Sequence, residues 1–108
     1  DDMRNSPAVD LAVELSGLAA QVVVHDPAAG PILAERTNRP YEVALSTQSA
    51  LEDTDLIVIG TEWGEYRDLD PARVAALART RCVIDGRNCL DAQAWKASGW
   101  TYRGIGQR

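Results

Sequence analysis

Four consecutive residues, Asp85-Gly86-Arg87-Asn88, form the stretch of the sequence best suited to bind an anion. They follow the apolar run Cys82-Val83-Ile84, the pattern of a buried strand emptying into a turn. A glycine there permits a sharp exit or a close backbone approach. The arginine after it projects a planar guanidinium with a fork of donors, suited to a phosphate, a ribose or the face of a base. A plainer assignment uses the same residues: a surface arginine paired with Asp85 or Asp91. A second cation, Arg4, stands just before the first helix start, flanked by Asp1 and Asp2. It either points toward a ligand crevice or a neighbouring domain, or it is solvated. Thr61-Glu62-Trp63 follows another apolar run. Glu62 is there either a polar ligand contact or a loop-closing residue with Trp63 packed beneath it.

No catalytic constellation accompanies these residues. Cys82 and Cys89 lie seven apart with the turn between them, which is not a metal spacing, and the lone His25 supplies no partner. Cys82 opens an apolar strand and is expected to be a small core residue rather than a reactive thiol. The segment His25-Asp26-Pro27-Ala28-Ala29-Gly30 lacks the Gly-x-Gly-x-x-Gly spacing that brings a pyrophosphate onto a helix N-terminus. There is no phosphate-binding P-loop and no Gly-x-Ser-x-Gly elbow either.

Composition narrows the classes further. The chain has 108 residues, 45% hydrophobic and 25% charged, enough for one domain with one core. Its net charge is -5, with acids and bases interspersed, so the basic stripe of a nucleic-acid binder is missing. No apolar run approaches the roughly 20 residues that cross a bilayer. The polar opening Asp1-Asp2-Met3-Arg4-Asn5 has no signal-peptide character and is expected to be a cut inside a longer chain. Without a secretory signal, a reducing cytoplasm is expected for the cysteines.

Helix and strand signals alternate along the chain. Ser6-Pro7 suits a helix start, and Ala8, Leu11, Ala12, Leu15, Leu18 and Ala19 recur at helical spacing, which predicts a helix over residues 7–19. Gln21 to His25 carries three valines and predicts a buried strand ending at Asp26-Pro27. Residues 28–40 predict a surface turn with a short helix, residues 41–45 an edge strand and residues 46–53 a short helix. Asp55 to Gly60 predicts the central parallel strand, apolar on both faces, followed by a polar and aromatic loop from Thr61 to Leu69. Asp70-Pro71 opens a helix bearing Val74, Ala75, Leu77 and Ala78 on one face. Cys82 to Ile84 is the next strand, Asp91 caps a last helix through Trp95 that Gly99 can end, and residues 100–105 form a final strand. About five strands separated by helices predict an α/β, Rossmann-like three-layer sandwich with a mostly parallel sheet, a single domain over residues 1–108. In such a sheet ligands gather beyond the carboxyl ends of the strands. Asp26-Pro27, the loop from Thr61 through Arg67 and Asp85 to Asn88 are the three loops placed there.

The motifs taken in order resemble a known family. Asp1-Asp2-Met3-Arg4-Asn5-Ser6-Pro7, Val22-Val23-Val24-His25-Asp26-Pro27, Thr61-Glu62-Trp63, Asp85-Gly86-Arg87-Asn88 and the ending from Gly99 to Gly106 are together similar to the C-terminal domain of the UDP-glucose 6-dehydrogenases, across essentially the whole chain. Each motif alone is weak; their order and register carry the resemblance. It implies an enzyme that oxidises the C6 alcohol of UDP-glucose to a carboxylate in two steps with two NAD molecules. In that family an N-terminal Rossmann domain holds NAD, a cysteine nucleophile forms a thiohemiacetal and then a thioester, and a long central helix builds a homodimer. The C-terminal domain closes over the UDP part of the substrate. By motif, the resemblance makes Arg87 the substrate-contacting arginine and Arg4 an arginine that reaches NAD across a domain interface. The family's Phe-Lys substrate pair belongs a few residues before Asp1. Neither Cys82 nor Cys89 lies in the catalytic-cysteine context, so this chain by itself is expected to be inert.

Two alternatives remain. Dehydrogenases of GDP-mannose or UDP-N-acetylmannosamine share the architecture, although Thr61-Glu62-Trp63 and Asp85-Gly86-Arg87-Asn88 look more like the UDP-glucose branch. The other is a non-enzymatic α/β binding module such as a receiver-like domain. A receiver needs an acidic pair after its first strand and a lysine at a strand end, but Asp1-Asp2 precede the first helix and Lys96, the only lysine, falls in the last one.

Overall fold

The computed structural model describes residues 7–18 and 21–105, so Arg4 lies outside the described residues. They divide into two compact units, Asp1–Ala50 and Leu51–Arg108, each with its own parallel sheet. The α/β class with parallel pairing is as expected from the alternation of signals. The five strands, however, fall into a pair and a triplet rather than a single sheet.

In the first unit the order is α1 (Pro7–Leu18), β1 (Val23–Val24), α2 (Gly30–Ala34), β2 (Glu42–Val43) and α3 (Thr47–Leu51). Val23 faces Glu42 and Val24 faces Val43 in a parallel ladder, which the Glu42 N–H to Val22 O and Ala44 N–H to Val24 O bonds complete. The core gathers around Leu33 and Tyr41, joined by Val9, Ala12 and Ala29. Two expectations are corrected here. The triple-valine strand is short and not fully buried, since Val23 is 43% exposed. Helix α1 turns Val9 and Ala12 inward, whereas Leu11 is 39% and Leu18 87% exposed. Apolar spacing identified the helix correctly, but a helix with apolar residues on several sides does not reveal which stripe the core selects.

The second unit runs β3 (Ile57–Ile59), α4 (Gly64–Arg67), α5 (Pro71–Leu77), β4 (Cys82–Asp85), α6 (Ala92–Ala97) and β5 (Thr101–Gly104). Its sheet has the order β3-β4-β5, all parallel, so the central strand is β4 and not the more apolar β3. Val83 and Asp85 on β4 are wholly buried. Both carboxylate caps form as expected: Asp70 accepts the Ala72 N–H at 3.0 Å, and Asp91 accepts the Ala94 N–H at 3.1 Å. Gly99 ends α6 with φ +86°, in the left-handed region that suits glycine. Helix α4 was not foreseen within the loop after β3, because four residues carry too little periodicity to register.

Two tryptophans organise this core. Trp95 on α6 is 1% exposed and meets Trp100 edge-on, with centroids 4.8 Å apart and planes at 64°. The Trp100 indole N–H donates to the Pro71 carbonyl at 3.0 Å, which joins the start of α5 to the entry of β5. Edge-to-face pairs add to the area that such rings bury. Trp95→Ala is expected to destabilise the protein by about 3–5 kcal/mol, and Trp95→Phe by much less. Denaturant unfolding of the two variants would check this.

Candidate functional site

The parallel register aligns three strand ends. Ile59 of β3 faces Asp85 of β4, and Asp85 faces Gly104 of β5, so the chain leaves all three strands at one level. The Thr61-Glu62-Trp63 loop and the Asp85-Gly86-Arg87-Asn88 turn are therefore neighbours at the carboxyl edge, where the alternation of elements predicted a crevice. Backbone contact joins them directly, since the Gly86 N–H donates to the Ile59 carbonyl at 2.9 Å. A Cβ on Gly86 would stand 2.8 Å from that same carbonyl oxygen. The glycine is needed for close approach to a neighbouring strand of its own sheet.

Asp85 is the group around which the turn is built. Its carboxylate is wholly buried. One oxygen accepts the Arg87 N–H at 3.2 Å; the other accepts the Leu90 N–H and the Tyr102 hydroxyl, both at 2.8 Å. Burial alone would push this carboxyl up. The hydrogen bonds from Leu90, Tyr102, Cys89 and Arg87 outweigh burial and hold it below its ordinary value. Asn88 takes the left-handed region at φ 52° and clamps the chain beyond β5. Its amide donates to the Ile105 carbonyl at 2.8 Å and accepts the Ile105 N–H at 2.9 Å.

Neither ion partner that the sequence offered to Arg87 is used among the described residues. Asp85 is occupied by backbone N–H groups and the tyrosine, and Asp91 caps α6. Arg87 itself is exposed, and its guanidinium makes no ion pair or hydrogen bond with any described residue. The hydrogen-bonded turn thus presents an exposed cation.

The other candidates fare differently. Glu62 forms an exposed ion pair with Arg67 at 3.7 Å, a contact of small energetic weight. Trp63 is 37% exposed and heads α4; the aromatic packed beneath the loop is Tyr66, 7% exposed. This corrects the expected role of Trp63. The four-residue helix rotates the third residue after it inward instead. In the first unit Asp26 accepts the N–H groups of Ala28 and Ala29 at 2.9 and 2.8 Å, closing the turn after β1 on itself. Cys89 is half-buried, and burial, followed by the negative charges of Asp85 and Glu62, pushes its thiol up. A thiol so placed is a poor nucleophile at neutral pH. Tyr102 and Leu90 are the participants that the sequence did not flag. An aspartate ending a buried strand was the available signal, because such a carboxylate must find donors.

The chain is similar to known proteins. A sequence model of the UDP-glucose/GDP-mannose dehydrogenase family, UDP binding domain, matches residues 1–92. The UDP-glucose 6-dehydrogenase TuaD of Bacillus subtilis is 33% identical over 107 residues, which is 99% of this chain and 23% of that protein. The UDP-glucose 6-dehydrogenase of Rhizobium meliloti is also 33% identical over 107 residues, 99% of this chain and 24% of its own length. Among solved structures, an NDP-N-acetyl-D-galactosaminuronic acid dehydrogenase from Methanosarcina mazei Go1 superposes with a TM-score of 0.82 at 24% identity, covering 100% of this chain and 22% of that one. The chain therefore spans about a quarter of the length of the relatives it matches.

The Asp85 carboxylate gives the fold a defined acid sensitivity. Its carboxyl lies below the ordinary value when folded, so its stabilising contribution is complete above the unfolded value and is lost as pH falls through the folded one. Asp85→Asn leaves one backbone N–H facing an amide NH₂ and should cost about 1–3 kcal/mol near neutrality. Urea unfolding at a series of pH values should show the gap between wild type and variant closing as the pH drops through the carboxylate range.

Proposed function

Since the chain belongs to the UDP-glucose/GDP-mannose dehydrogenase family, through that family's UDP-binding domain, we propose that it serves as one domain on the substrate side of an NAD-dependent UDP-glucose 6-dehydrogenase. In this proposal Arg87 holds the nucleotide end of UDP-glucose, and oxidation to UDP-glucuronate takes place on a part of the enzyme outside this chain. The observation that carries it is the exposed Arg87 guanidinium, unpaired among the described residues, on a turn fixed by a buried carboxylate. A diphosphate accepts the paired donors of an arginine in a charge-assisted, directional contact. The curated relatives at 33% identity are named as UDP-glucose 6-dehydrogenases, which favours UDP-glucose over GDP-mannose or UDP-N-acetylmannosamine.

NAD does not fit the described residues as a primary site. The N–H groups after β1 that could meet a pyrophosphate already bond to Asp26. NAD would supply the hydride acceptor from a separate N-terminal domain, with Arg4 reaching it across the interface. A homodimeric cytoplasmic enzyme completes the proposal. No helix among the described residues is long and apolar enough to cross a membrane.

Two outcomes test the proposal. In the complete dehydrogenase, Arg87→Ala should lower kcat/KM for UDP-glucose by roughly ten- to a hundredfold, the loss of one charge-assisted contact. An unchanged kcat/KM would remove Arg87 from the site. The 108-residue chain alone should bind UDP weakly and produce no NADH from NAD and UDP-glucose; turnover by it would place the chemistry within the chain after all.

A further inference from the structure

Among the described residues the Arg87 guanidinium has no partner, so its position is set by the backbone beneath it. Three side chains fix that backbone. Asp85 accepts the Arg87 N–H itself at 3.2 Å. Tyr102 reaches in from β5 and donates to the Asp85 oxygen that also takes the Leu90 N–H, both at 2.8 Å. Asn88 binds Ile105 through both its amide groups. The turn is thereby tied to β5 at Tyr102 and to the chain just beyond it at Ile105, across a strand pair already in register. Lys96 of α6 sits 5.9 Å from the centre of the Tyr102 ring, a cation–π contact that helps hold the ring in place.

We infer that Tyr102 and Asp85 are positioning residues for the nucleotide contact: the Tyr102 hydroxyl orients the buried Asp85 carboxylate, and that carboxylate holds the peptide that carries Arg87. The inference rests on the proposal that Arg87 contacts the substrate nucleotide. Its physical basis is an asymmetry. A neutral Asp85 would offer one O–H and fewer acceptor sites, whereas the Arg87 and Leu90 N–H groups and the Tyr102 hydroxyl, among others, all donate to the ionised form. The other charged or titratable groups around it are Cys89 and Arg87 in the turn, Glu62 in the loop after β3 and Lys96 on α6 beyond the tyrosine ring. The Tyr102 hydroxyl is a side-chain donor, so it can be deleted without touching the backbone.

The test is titration of the ¹⁵N-labelled 108-residue chain with millimolar UDP, following the turn amides by NMR across a pH series. Wild type, Tyr102→Phe and Arg87→Ala are compared, each with its thermal midpoint. Tyr102→Phe keeps the ring and is expected to weaken UDP binding roughly three- to tenfold, in line with one lost hydrogen bond. The wild-type to variant affinity ratio should widen on acidification, because the variant's Asp85 takes up its proton at higher pH. Titration of UDP is common to both and cancels in that ratio. If Arg87→Ala abolishes binding while Tyr102→Phe matches wild type at every pH, the positioning role is overturned and the Arg87 contact stands. A Tyr102→Phe loss that is constant with pH and tracks the thermal midpoint shows a purely structural tyrosine and equally overturns it. No binding by wild type, or full binding by Arg87→Ala, removes the Arg87 contact and the inference with it.

Discussion

The carboxylate of Asp85 is an anion withdrawn from water at the end of the middle strand of its sheet, and such a group persists only where donors replace its hydration. Here the donors are the backbone of the following turn and a tyrosine from the adjacent strand. The demand for solvation thus becomes a constraint on geometry. The turn must fold back over Asp85, glycine must follow it to pass under the Ile59 carbonyl, and β5 must lie close enough to deliver Tyr102. The exposed arginine is a by-product of that folding-back.

Helix starts, strand cores and the turn itself were legible in the sequence because each has a local cause. Asp70-Pro71 and Asp91 cap helices through contacts two or three residues away, and the apolar runs Ile57–Ile59 and Cys82–Ile84 lie in strands. The parallel α/β class follows from their alternation. What was hidden depends on contacts between distant residues. Tyr102 reaches Asp85, Asn88 reaches Ile105, and Trp100 reaches Pro71, and no spacing in the sequence announces these partners. The division of the strands into two sheets and the choice of β4 as the central strand are likewise decided by pairing. The most apolar strand is an edge because burial on its faces comes from helices as well as from neighbouring strands.

The candidate site was legible in part for the same reason. Arg87 stood out by residue type and by its place after a strand, yet the sequence left open whether Asp85 was its ion partner. Three-dimensional structure resolves that ambiguity through competition for lone pairs: Asp85 is occupied by N–H and O–H donors, so the guanidinium is left to face outward. Trp63 shows the opposite outcome. Its size suggested burial, but a short helix beginning beside it gave the inward place to Tyr66.

The common level at which β3, β4 and β5 end has a consequence for how such a chain can diverge. One residue added to or removed from any of these strands would displace its exit by about 3.3 Å and reverse the facing of every side chain beyond the change. Made in β4 ahead of Asp85, such a change would point that carboxylate to the opposite side of the sheet from Tyr102. Length changes are therefore best absorbed in the connecting segments, and strand length acts as a ruler that keeps the carboxyl rim of the sheet straight.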